Sequence, residues 1–192
     1  MMVRRLTAVA ILGAMVMGCA SPPSRFYTLT GNLPTAEQSR DIAVSVGPVA
    51  IPSEVDRPQI VVNEGPYRVR LDETRRWAAP LQDAISGVLV ANLSALLGTT
   101  RVTRFPATAA TDADYRVAIE VQTFESVPDS AANLVAVWRI GRTDGDTMVT
   151  GRTSVREPIS GADYDALAAA HNRALETLSR DIADALKDLD RR

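Results

Sequence analysis

Hydrophobic and polar positions along this chain follow two different periods in turn. Ile42, Val44 and Val46 alternate with small or polar residues, the spacing of a half-buried strand, which stops at Gly47-Pro48. Ile60-Val61-Val62 and then Tyr67, Val69 and Leu71 flank Asn63-Glu64-Gly65-Pro66, which predicts a hairpin turning at those four residues. The period then lengthens. Leu81, Ile85, Val88, Leu89, Leu93, Leu96 and Leu97 fall on one stripe of a helix. That helix starts at Pro80, whose missing N–H costs nothing in a first turn, and ends at Gly98. Alternation resumes in a short strand over 101–105. It continues in Tyr115, Val117, Ile119 and Val121, set against Arg116, Ala118, Glu120 and Gln122. Residues 134–140 are apolar on both faces except at the end, as in a central strand, and Asp144-Gly145 turns the chain into a strand over 147–155.

The chain closes on a long helical stripe: Tyr164, Leu167, His171, Leu175, Leu178, Ile182, Leu186 and Leu189, with Ser160 as its cap and Asp163 completing a capping box. Six to seven strands and two amphipathic helices predict a single α+β domain, a largely antiparallel sheet with both helices packed on one face. This domain is assigned to residues 41–192. Residues 19–40 read as a tether, because Pro22, Pro23 and Pro34 stand among polar residues there.

The first eighteen residues fit neither the domain nor the tether. A basic start with Arg4-Arg5 precedes an apolar run from Leu6 to Val16, too short for the ~20 residues that span a bilayer and right for a signal peptide over 1–18. Val16-Met17-Gly18-Cys19 resembles the bacterial lipobox, which implies cleavage before Cys19 and acylation of its thiol, the palmitate-type anchor of a lipoprotein. Cys19 is the only cysteine, so no internal disulfide is available to it in an oxidising compartment, and lipidation would consume the lone thiol. Ala20 follows, and in lipoproteins of this kind a residue other than aspartate there implies the outer membrane. Two or more acyl chains anchor firmly where one is marginal.

Charge narrows the partners. The chain carries 21 Lys+Arg and 23 Asp+Glu, and removing Arg4 and Arg5 with the signal leaves 19 against 23, a net of −4. The charges are scattered without a basic run, which argues against nucleic acid as a partner. Chemistry is sparse as well. The single histidine, His171, falls on the apolar stripe of the last helix, where packing is the simpler reading than a catalytic base. Zinc needs several His or Cys ligands, and these are lacking. Asp112 with Asp114, and Asp144 with Asp146, are the acidic pairs that a cation would need; for the second pair the hairpin turn is the preferred reading. No Gly-x-Ser-x-Gly elbow and no glycine-rich phosphate loop is present. The sequence thus predicts no enzyme, no catalytic residue, no metal and no cofactor.

Four residues are left over as candidates for an interface. Phe26 and Tyr27 form an aromatic pair just behind the lipid anchor, outside any obvious element. They either dock as an edge strand or seat the tether on the membrane or on a neighbouring subunit. Arg76 and Trp77 precede the first helix. Trp77 either staples that helix start or, with Arg76, anchors an interface, since Trp and Arg are over-represented at hot spots.

Read together, five stretches resemble the ABC-type transport auxiliary lipoproteins, PqiC-like. They are Ser24-Arg25-Phe26-Tyr27-Thr28-Leu29; Val46-Gly47-Pro48-Val49 with Ile51-Pro52; Asp56-Arg57-Pro58-Gln59-Ile60-Val61; Trp77-Ala78-Ala79-Pro80-Leu81; and the final Ala/Leu helix. The resemblance implies a non-catalytic subunit of an MCE/ABC-type lipid-transport system in a Gram-negative envelope. Such a subunit faces the periplasm from the outer membrane and docks or extends a conduit that supports membrane integrity. Its partners would be an MCE-family protein or the ABC permease complex, together with further copies of itself in a ring-like homo-oligomer. Two other readings compete: a structural envelope lipoprotein without a transport role, and an envelope hydrolase using a scattered Ser or Asp.

Overall fold

A computed structural model describes residues 22–106, 112–161 and 163–191. The signal segment, Cys19 and Ala20 lie outside the described residues. The elements, in order, are β1 (Arg25–Tyr27), β2 (Val44–Ala50), β3 (Gln59–Asn63), β4 (Val69–Trp77), α1 (Leu81–Leu97), β5 (Val102–Arg104), β6 (Tyr115–Val127), β7 (Ala131–Arg142), β8 (Met148–Pro158) and α2 (Tyr164–Asp190). They form one α+β domain. Among the described residues no helix is long and apolar enough to cross a membrane.

The sheet is mixed, not purely antiparallel. Hairpin neighbours β3/β4, β6/β7 and β7/β8 are antiparallel, as short connections require. The remaining pairings, β1/β4, β2/β5, β2/β6 and β3/β6, are parallel. Parallel partners are brought together by crossovers, so hydrophobic alternation within either strand cannot announce them. The eighth strand beyond the predicted count is β1, three residues docked on the edge of β4.

β6 is the spine. One edge pairs along its length with β7; the other is shared, its first half by β2 and its far end, at Ser126, by β3. Its alternation sends Tyr115, Val117, Ile119 and Val121 into the core, as the sequence implies. A bulge between Val121 and Thr123 then resets the phase, so that Phe124 and Ser126 also face inward. Both helices cover this inner face, α1 over β2 and β5 and α2 over β7 and β8, and they touch each other. Their leucine stripes, Leu81 to Leu97 and Leu167 to Leu189, are buried in one continuous core with the strands.

Two glycines are set by geometry. Gly98 ends α1 in the left-handed conformation, φ +63°, with its N–H on the carbonyl of Ala95. Gly151 lies opposite Trp138 in the β7/β8 register, and a Cβ there would stand 2.1 Å from the indole Cζ2. The strand glycine makes room for the ring. At the start of α2 the cap is Asp163 rather than Ser160: its carboxylate accepts the Ala166 N–H at 2.8 Å, and helical conformation begins at Tyr164.

The segment after β1 runs along the body and straps the two helices together. The Thr30 N–H donates to Asn172 Oδ1 on α2 at 2.9 Å, and Gly31 lies against Ala91 on α1. Ala36 N–H donates to the Ala95 carbonyl, Ser39 Oγ to that of Gly98, and Arg40 pairs with Asp190 at 2.6 Å.

Candidate interaction surface

Trp77 closes β4 at a corner where three stretches far apart in sequence meet. β1 lies parallel to the end of β4, with Arg25, Phe26 and Tyr27 opposite Arg75, Arg76 and Trp77. Trp77 N–H donates to the Pro58 carbonyl at 2.7 Å, and Ala78 N–H to that of Tyr27 at 2.8 Å. Backbone hydrogen bonds therefore stitch the stretches around Phe26, Pro58 and Trp77 into one unit.

Strand alternation divides the four candidate residues. Phe26 and Arg76, opposite each other, point outward, and Phe26 is 64% exposed. Tyr27 and Trp77 turn inward instead, to 8% and 6% exposure, because at this register both side chains face α2. The Trp77 indole meets Phe124 edge-on at 6.4 Å and His171 at 6.0 Å, and the imidazole stacks on Phe124 at 4.1 Å. Aromatic pairs in these geometries add to what their buried area contributes.

The start of α2 latches the corner from the other side. Tyr164 packs 5.8 Å from Tyr27, donates its hydroxyl to Asp72 at 2.7 Å, and lies under the Arg75 guanidinium at 5.5 Å. Burial works to raise the Asp72 carboxyl. Hydrogen bonds from Tyr164, from the hydroxyl and amide of Thr74 and from Arg70 outweigh it and hold the group down at about 2. Neither this latch nor the Phe124–His171 stack shows in the sequence. The first joins positions 92 residues apart, and the second depends on the β6 bulge.

Trp77 also lends an edge to two grooves. One, of about 570 Å³, runs between the strap and α1, lined by Tyr27, Leu29, Ala84 and Val88, with the Asp83–Arg104 pair at its rim. The other, of about 350 Å³, lies among Arg57, Pro58, Ala79 and Pro80. Each is mostly apolar with a charged margin, the make-up of a surface that binds rather than reacts.

The only nucleophile–base geometry at this corner is Ser126 with His171, Oγ to Nε2 at 2.9 Å. Both residues are buried; Phe124 and Trp77 cover the ring, and Nδ1 has no hydrogen-bond partner among the described residues. A general base in such a pair is oriented through its second nitrogen and open to substrate. Burial pushes the imidazole down to about 3, so it is neutral at pH 7 and serves as a packing group. One member of each acidic pair is engaged elsewhere: Asp114 accepts the Ala43 N–H at 2.7 Å, and Asp144 is forked by Arg142 at 2.9 and 3.1 Å. Among the described residues no three His, Cys, Asp or Glu converge as metal ligands would.

Comparisons with known proteins agree with this architecture. The family model described as ABC-type transport auxiliary lipoprotein component matches residues 27–183. Two crystal structures share the fold. One, of an uncharacterized protein, superposes with a TM-score of 0.71 at 18% identity, covering 86% of this chain and 99% of its own. The other, protein XCC0632 from Xanthomonas campestris, family-model DUF330, gives 0.70 at 21% identity, covering 83% and 93%. No curated protein matches the sequence.

Proposed function

The chain belongs to the ABC-type transport auxiliary lipoprotein component family, and from that premise we propose that it is a non-catalytic subunit docking an MCE/ABC-type lipid-transport apparatus at the outer membrane. The observation that carries the reading is the convergence of three separate sequence stretches on one corner, which aims Phe26 and Arg76 outward and keeps its only imidazole sealed inside. A corner built this way offers apolar grooves and a charged margin to a protein partner, and no reacting group. Trp77 and Tyr27 act from beneath, fixing the backbone from which Phe26 projects. In this reading Cys19 carries the lipid and the chain faces the periplasm. With β1 docked, only residues 20–24 separate the anchor from the domain.

A photocrosslinker placed at Phe26 in intact envelopes is expected to capture an MCE-family protein or the permease complex. Capture of cell-wall components alone would point to a structural lipoprotein, and the transport reading would fall. The anchor has its own check. Metabolic labelling with a palmitate analogue is expected to mark the wild-type chain and to leave Cys19→Ser unmarked and released from the membrane. Unlabelled wild-type protein would overturn the assignment of Cys19.

A further inference from the structure

Among the described residues, the exposed large hydrophobic side chains away from the corner are single ones at Phe105 and Met148 and a group of three, Tyr67, Val69 and Leu71, on the β3–β4 hairpin. Opposed pairs fix which side chains share a face. Ile60 with Asp72 and Val62 with Arg70 share one face, and Val61 with Leu71 and Asn63 with Val69 share the other, on which Val61 is buried and the β4 residues are exposed. Along that second face Leu71 is 37% exposed and Val69 55%, and Tyr67, at the turn just before them, is 99% exposed. The turn is well braced. Glu64 N–H donates to the Arg68 carbonyl at 2.9 Å, Asn63 Oδ1 accepts the Gly65 N–H, and the Glu64 carboxylate pairs with Arg70 at 2.7 Å and Arg68 at 3.4 Å. A fixed tip that holds a tyrosine wholly in solvent beside two aliphatic side chains calls for an occupant.

Where the anchored end of the chain enters identifies that occupant. β1 runs parallel to β4, with Arg25 opposite Arg75, so the residues before Arg25 approach from the hairpin side. Pro22 and Pro23 favour an extended path there. Arg25 lies six positions after Cys19, a reach of at most about 20 Å. Arg75 likewise lies six positions after Val69, about 20 Å of strand. The hairpin tip is therefore within reach of the anchor, and a membrane that takes the acyl chains would lie close to Tyr67. Charge agrees: residues 63–71 set Arg68 and Arg70 against Glu64, whereas the β7–β8 turn at the opposite end sets Asp144 and Asp146 against Arg142. Tyrosine is a residue of membrane–water boundaries, with an apolar ring and a polar tip.

We propose that the Tyr67–Leu71 hairpin is a second membrane contact, seating in the lipid surface to which Cys19 is fixed and so setting the domain's orientation. This rests on the lipid-anchor reading above and adds to it a defined pose. The hairpin end of the sheet lies at the membrane, and the Arg142–Met148 end, some ten β6 residues or about 33 Å away, points into the periplasm.

The test uses the full lipidated chain in vesicles of phosphatidylethanolamine and phosphatidylglycerol. Its cysteine is acylated, so Tyr67→Cys or Met148→Cys supplies a single thiol for an environment-sensitive fluorophore. Both positions are exposed, so neither change disturbs the core. Nitroxide-bearing lipids are expected to remove most of the emission from position 67 and to leave that from 148 unchanged. If 67 is no more quenched than 148 while Cys19 carries the palmitate label, the second contact is refuted and the anchor stands. If the label itself is missing, both fall. A photocrosslink from position 67 that captures a protein in place of lipid also overturns the proposal.

Discussion

Replacing Trp77 with alanine is expected to remove about 3–5 kcal/mol of stability, seen as a large drop in the urea midpoint, whereas Phe26→Ala should change it by no more than ~0.5 kcal/mol. The contrast follows from burial alone. Trp77 is 6% exposed and packs against Phe124 and His171, while Phe26, one register position away on β1, is 64% exposed. Truncating the indole opens a cavity beneath β1, removes the edge-on contacts of two rings and loosens the seam between β1, β3 and β4. The capture assay should read the two substitutions the other way round: Phe26→Ala loses the partner with the fold intact. Equal destabilisation by both would show that Phe26 is a core residue, and the proposed surface would lose its centre.

That Trp77 is buried rather than surface-exposed is not legible in the sequence, for a physical reason. A tryptophan two residues before a helix-starting Ala-Pro has no periodic partner within its own segment, so the sequence leaves it open between a staple for that helix and an interface anchor. Its burial comes from β1, 50 residues earlier, and from α2, some 90 residues later. Elements whose evidence is local were legible: both leucine stripes, the β6 alternation, the Asn63–Pro66 turn and the Asp144-Gly145 turn. Those that depend on distant partners were not. The parallel pairings of β2 and β3 on one edge of β6 have no signature within either strand, and the alternation of Tyr67, Val69 and Leu71 is the same whether that face meets a core or a membrane. The capping box failed for a smaller reason. Ser160 and Asp163 are both good caps, and the choice between them rests on where β8 releases the chain.

Acid should weaken this domain well before its carboxylates titrate, and His171 is the cause. Its imidazole is fully buried, with a folded-state value near about 3 against about 6.5 in the unfolded chain. Above pH 6.5 the ring is neutral in both states and stability is complete. As pH falls below 6.5 the unfolded chain takes up a proton that the native ring refuses, so stability drops by roughly 1.4 kcal/mol per pH unit until the folded value is passed. Asp72 is likewise lowered, to about 2 from 3.8, so its contribution is present above 3.8 and is lost as pH falls through about 2. The window between pH 6.5 and 4.5 thus belongs to the histidine, and the wild-type protein should lose roughly 3 kcal/mol across it in urea titrations. His171→Leu starts lower at pH 7, because the buried Ser126 hydroxyl loses its partner at a cost of about 1–3 kcal/mol, but its stability should stay nearly level over the same window. A wild-type curve as flat as the variant's would mean that the ring titrates freely. The sealed aromatic corner beneath Phe26 and Arg76 would then be open to water, and the argument that its only imidazole is a packing group would go with it.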